Sequence, residues 1–184
     1  MQFRHILILN VLFAAGLWFL GCGERVNSQQ PRLDFEQRLK ELGIELYKPD
    51  PPVANYVRTV RSGNLVFVAG HGPRRPDGTY VRGKVGKDLT LEEGKVAARL
   101  TAISLLSSLK AELGSLNRVK RIVRVFGMVN ATEDFTQHPQ VINGCSDLLV
   151  EIFGQAGKHA RAAVGMASLP MNIAVEIEMV VEVE

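Results

Sequence analysis

Residues 159–184 read HARAAVGMASLPMNIAVEIEMVVEVE, and the alternation in the second half of this stretch decides the fold class. Ile173, Val175, Ile177, Met179, Val181 and Val183 fall on one side. Ala174, Glu176, Glu178, Glu182 and Glu184 fall on the other, with Val180 as the exception. A period of two marks a β-strand with one face on a core and one face free. Leu169-Pro170-Met171-Asn172 supplies turn residues before it, and Arg161–Ser168 is short, small and apolar with a cation at its start. The simplest pairing is a β-hairpin. If Ser168 lies opposite Ile173, then Gly165 lies opposite Glu176. Arg161 then shares that face four residues further along, roughly 13 Å away at strand rise.

Upstream of the hairpin, Val119–Asn130 is long and β-branched and reads as a central strand. Phe135 to Pro139 reads as a loop, with Pro139 suited to a helix start, and Val141–Phe153 as a helix stopped by Gly154 and Gly157. Thr90 and Glu93 form a capping box, after which Val96, Leu100, Ile103, Leu106, Leu109 and Leu113 recur at helical spacing until Gly114. Thr59–Ser62, the Gly63-Asn64 turn and Leu65–Ala69 make a second hairpin. Gly70-His71-Gly72-Pro73 breaks it, and Arg74–Gly86 is a polar loop. Asp34–Leu42 predicts a short amphipathic helix ended by Gly43, and Pro49, Pro51 and Pro52 forbid regular structure after it. The order strand, strand, helix, strand, helix, strand, strand predicts an α+β fold: a mixed β-sheet with two helices packed on one face.

A length of 184 residues suits one domain plus an N-terminal extension, and 46% hydrophobic content is enough for a core. The formal charge of +3 is spread along the chain without a basic stripe, so no nucleic acid is expected as a partner. Cys22 and Cys145 lie in different kinds of segment and make neither a disulfide framework nor a metal site. The four histidines show no HxxxH or HxH spacing, so no metal is expected. Arg4 and His5 precede an apolar run, Ile6 to Leu20, that is short for a bilayer span and reads as an export signal. Phe19-Leu20-Gly21-Cys22-Gly23 resembles a bacterial lipoprotein box, in which Cys22 is acylated and becomes the first mature residue. The expected organisation is a signal peptide over residues 1–21, a tether over 22–34 and a domain over 35–184. The expected location is the cell envelope, on the periplasmic side or outside, with a lipid anchor in the membrane.

An Arg opening a strand, then Leu-Pro, then Val-Glu-Ile-Glu near the chain end resembles the C-terminal signature of the RidA/YjgF family. The resemblance covers about residues 35–184 and implies the chorismate-mutase-like fold and a homotrimer. In the trimer the free sheet face, with its carboxylates, packs against neighbouring subunits. It implies that Arg161 binds a substrate carboxylate and that Glu176 handles a water. Tyr56 matches an aromatic hydroxyl that caps the pocket, and Asn143 matches an Asn near it. Backbone groups of Gly70, His71 and Gly72 would bracket the ligand. The implied activity is hydrolytic deamination of short 2-imino or enamine acids to 2-keto acids and ammonia, with no metal or organic cofactor. The chain departs from the family at His159, where Pro or Ala is usual, and at Ala163, where a Cys is frequent.

Residue by residue, other roles stay open. Arg161 alone on a strand also suits an interface ion pair. Glu176 also suits a solvated strand face, Tyr56 a core or interface contact, and Asn143 a helix end. Cys145 reads as a small core residue. A trimer that binds a small carboxylate without turning it over is the alternative function. An endoribonuclease, a label the family also carries, fits less well, because no basic stripe or histidine pair is present.

Overall fold

The computed structural model describes residues 34–52 and 54–184. The signal peptide, Cys22 and all of the tether except Asp34 lie outside the described residues. Asp34 caps the first helix, its Oδ1 accepting from the Gln37 amide at 3.0 Å and from Asn117 Nδ2 at 3.0 Å. The elements are α1 (Phe35–Glu41), β1 (Thr59–Ser62), β2 (Leu65–His71), α2 (Leu91–Leu113), β3 (Val119–Asn130), α3 (His138–Phe153), β4 (Ala160–Met166) and β5 (Val175–Val183). The sheet order is β1-β2-β5-β3-β4, and only β3 and β4 are parallel. Helices α2 and α3 pack on each other and cover one face of this mixed sheet, with the short α1 against α3.

The alternation along β5 is fully realised. Val175, Ile177, Met179, Val181 and Val183 are buried, and the residues between them are half-buried. The hairpin expected from β4 and β5 does not form. β5 lies between β2 and β3, and β4 pairs in parallel with β3, with Arg161 opposite Val125. Glu176 pairs with Met128 instead of Gly165. The residues between β4 and β5 therefore carry the chain over β3, a step of about two strand spacings, or roughly 10 Å.

The capping box at Thr90 and Glu93 is present, and Gly114 ends α2 with φ +77°. The buried stripe of α2 keeps Leu106, Leu109 and Leu113 of the predicted one but is otherwise displaced from it. Val96 is 58% exposed, while Ala97, Ala98, Thr101, Ala102, Ser104, Leu105, Ser108 and Leu109 are buried. Small residues on this stripe let α3 approach closely. A Cβ on Gly144 would run into the Lys95 carbonyl of α2. Gly144→Ala is therefore expected to push the helices apart and destabilise the protein by about 1–3 kcal/mol, the range for overpacking. A urea midpoint equal to wild type would show that the helices can separate freely.

Across all five strands the free face is less acidic than β5 alone suggests. Glu178 meets Arg124 at 3.6 Å and Glu182 accepts from Asn64 at 3.2 Å. Val60, Phe67 and Val164 share this face and are 53%, 46% and 37% exposed. Half-buried Phe126, Met128 and Val180 lie between them.

Candidate functional site

The site begins with an irregularity in β2. Its register against β5 slips between Val68 and His71, which pair with Met179 and Ile177. Such a bulge re-aims side chains at a sheet margin. Gly70 sits inside it, and the Glu176 carboxylate occupies the space that a Gly70 side chain would take. The ladder between β1 and β2 ends at Thr59 opposite Val68, with one further bond from the Ala69 amide to the Arg58 carbonyl at 2.9 Å, and a cleft lies at this sheet margin. Its volume is about 250 Å³, the room of roughly eight waters. Tyr56, Gly70, His71, Gly72 and Glu176 all line it, together with Tyr47, Arg58, Arg74, Tyr80, Ser104 and Ser108.

His71 is held at both ring nitrogens. Its Nδ1 is 2.6 Å from the Ala69 carbonyl and its Nε2 is 2.7 Å from Ser108 Oγ. A carbonyl only accepts, so Nδ1 carries a proton, while Nε2 faces a hydroxyl that can donate or accept. Burial holds its pKa below the ordinary histidine value; the Ala69 carbonyl acts against this, and the Arg58 charge adds to it. Glu176 is shifted the other way. Burial pushes its carboxyl above the usual range, and the Glu178 charge adds to the effect. A half-buried carboxylate with raised proton affinity is suited to taking a proton from a bound water.

The rest of the cleft is cationic and aromatic. The Arg74 guanidinium lies over the Tyr47 ring, 4.3 Å from its centre. Arg58 Nε donates to the Asp50 carbonyl at 2.6 Å. Burial raises the pKa of the Tyr47 hydroxyl, which Ser104 contacts. Sequence reasoning missed Tyr47, Arg58, Arg74, Tyr80, Ser104 and Ser108. Only the two serines left a usable signal: their i, i+4 spacing puts two hydroxyls on one side of a helix that otherwise buries Ala and Leu.

Arg161 and Asn143 come together, but elsewhere. Arg161 Nη1 donates to Asn143 Oδ1 and to Ser146 Oγ, both at 2.9 Å. Ser146 Oγ is also 3.0 Å from His159 Nε2, and His159 Nδ1 is 2.6 Å from the Gly157 carbonyl. His159 thus repeats the arrangement of His71, with Nδ1–H on a carbonyl two residues back and Nε2 facing a helix serine. Burial lowers its pKa too; the Gly157 carbonyl acts against this, and the Arg161 charge adds to it. The residue that departs from the family pattern therefore holds the serine that holds Arg161. Arg161 pairs with Val125 and reaches α3, on the helix-covered face, whereas Glu176 is on the free face. Within one chain the two do not share a site.

Cys145 is fully buried, and burial pushes its thiol up to about 12, as a core residue requires. Among the described residues, no three His, Cys, Asp or Glu side chains converge as metal ligands. The Glu176–Gly70 contact is directly testable. Gly70→Ala displaces a flexible carboxylate and not backbone, so the fold is expected to survive. Any turnover that depends on Glu176 is expected to fall about tenfold or more. In a Glu176→Gln background the same substitution is expected to add little, and a full additive loss would sever the link between the two residues.

A sequence model for the family described as "YjgF/chorismate mutase-like, putative endoribonuclease" matches residues 36–183. Protein TCP17 of Trypanosoma cruzi is 43% identical over 145 residues, covering 78% of this chain and 91% of that protein. A RutC family protein of Pyrococcus abyssi is 30% identical over 134 residues, covering 72% and 90%. The crystal structure of Atu1372 from Agrobacterium tumefaciens, a protein of unknown function, superimposes with a TM-score of 0.75 at 43% identity, covering 82% of this chain and 94% of that one.

Proposed function

Because the chain belongs to the YjgF/chorismate mutase-like family, we propose that it is a hydrolytic deaminase of RidA type, converting short 2-imino acids and water into 2-keto acids and ammonia. The observation that carries this reading is Glu176: a half-buried carboxylate of raised proton affinity, set against a side-chain-free backbone in a small cleft. Glu176 takes a proton from a water as the water oxygen bonds to the electrophilic imine carbon. The resulting carbinolamine takes that proton back from Glu176 on its nitrogen, and the C–N bond breaks to release ammonia. The hydroxyl proton leaves as the C=O forms.

The substrate carboxylate is assigned to Arg161 of a neighbouring copy. Three features support this: Arg161 is exposed on the edge strand β4, it is on the face opposite Glu176, and the free sheet face exposes Val60, Phe67 and Val164. The proposed assembly is a homotrimer with a site at each interface.

The test is to supply 2-iminopropionate, generated in situ by an amino-acid oxidase, and follow its decay with the assembly state measured by light scattering. Decay accelerated by a stable trimer is the expected result. An intact trimer that leaves the imine untouched would favour a binding protein, and a stable monomer at micromolar concentration would remove the shared site.

A further inference from the structure

The cleft that holds Glu176 also holds two guanidinium groups for which the proposed reaction has no use. Arg74 is only 20% exposed at its side chain, and its Nε is 3.8 Å from the nearest carboxylate, Asp50, beyond hydrogen-bond distance. Its guanidinium lies over the Tyr47 ring, 4.3 Å from the centre, which restricts its movement. Arg58 spends its Nε on a backbone carbonyl and makes no ion pair among the described residues. Glu176 does not neutralise either one, since no contact within 4.0 Å joins it to an arginine among the described residues. Their charges are nonetheless felt inside the cleft, since Arg58 helps to depress His71 and both arginines act on Tyr47.

We propose that Arg58 and Arg74 bind a second carboxylate on the ligand, so that the substrates are 2-imino dicarboxylic acids and the products 2-keto dicarboxylic acids. This rests on the deaminase reading for the reaction, but the anion site itself does not. Two forks presenting donors to one small opening suit a carboxylate at bidentate geometry. A cleft of about 250 Å³ has room for a four- or five-carbon diacid. The ligand would run from Arg161 of the neighbouring copy, past Glu176 at the imine carbon, to Arg58 and Arg74.

Calorimetry of the purified protein with 2-oxopentanoate and 2-oxoglutarate is the test, because these probes differ only in the terminal carboxylate. The diacid is expected to bind at least tenfold tighter, with an advantage that shrinks as salt rises. Arg58→Gln and Arg74→Gln are each expected to weaken 2-oxoglutarate by about ten- to a hundredfold and to narrow the gap between the two probes. Arg58 is the safer variant, because it does not support Tyr47. Equal affinity for the two probes, or an undiminished diacid preference in folded Arg58→Gln protein, would overturn the proposal. Failures of the two readings are separable. Arginine-dependent 2-oxoglutarate binding without turnover of either 2-iminopropionate or 2-iminoglutarate would sink the deaminase and support the anion site. Turnover of a monocarboxylic imine with no diacid preference would do the reverse.

Discussion

Glu176→Gln is expected to cut the turnover number for imine hydrolysis by about a hundredfold or more while changing ligand affinity little. Gln keeps the shape of the side chain and its fit against Gly70, and it can still hydrogen-bond a water, but it cannot take the water's proton. General-base contributions of this kind are typically 10²–10⁴-fold. A structural role would give a different pattern, and stability against pH separates the two. The folded carboxyl titrates above its ordinary value of 4.5. Folding therefore favours its neutral form, and stability falls as pH climbs from the ordinary value through the raised one. Gln imitates the neutral form. The variant is expected to melt at or above the wild-type temperature at neutral pH, with the gap closing as pH falls to the ordinary carboxylate value. Unchanged turnover would demote Glu176 to a structural residue and favour the binding-protein reading.

Arg161→Lys is expected to fail almost as badly as Arg161→Ala, with keto-acid affinity down about ten- to a hundredfold. Nη1 is already committed to Asn143 and Ser146, which leaves Nη2 and Nε as the planar edge that can meet a carboxylate. One ammonium cannot hold the α3 pair and also present two parallel donors. The side chain is exposed and flanked by Ala160 and Ala162, so circular dichroism is expected to stay native in both variants. Calorimetry with pyruvate or 2-oxobutyrate is the readout. Wild-type-like binding by the lysine variant would remove the clamp, and unfolding of both variants would point to a purely structural role for the bonds to Asn143 and Ser146.

The elements were legible because their signals are local. The capping box at Thr90, the stop at Gly114 and the period of two along β5 each act within a few residues. The partner of β4 was not. A short apolar segment, a Leu-Pro turn and an alternating strand are what a hairpin needs, and nothing in them reveals that β3 intervenes. Met171 and Asn172 both adopt positive φ, at 54° and 56°, as the central residues of a tight hairpin turn do, so even the local backbone is compatible with the pairing that does not form. Part of the site was legible only through the resemblance. Strand phase puts Glu176, Glu178 and Glu182 on one face alike, and the family signature singled out Glu176 and the Gly70–Gly72 backbone. Tyr47 and Arg58 reach the cleft from the stretch between α1 and β1, and Arg74 and Tyr80 from the loop after β2, and no spacing rule links the two pairs.

In the proposed homotrimer, the placement of Arg161 and Glu176 on opposite faces of one sheet has a countable result. Mix inactive Arg161→Ala chains with inactive Glu176→Gln chains and let them reassort at random. Three-quarters of cyclic trimers then contain both kinds, and each such trimer has one interface where an intact Arg161 meets an intact Glu176. Activity should return to about one quarter of the wild-type level from two dead preparations. A site complete within each chain gives zero at every mixing ratio.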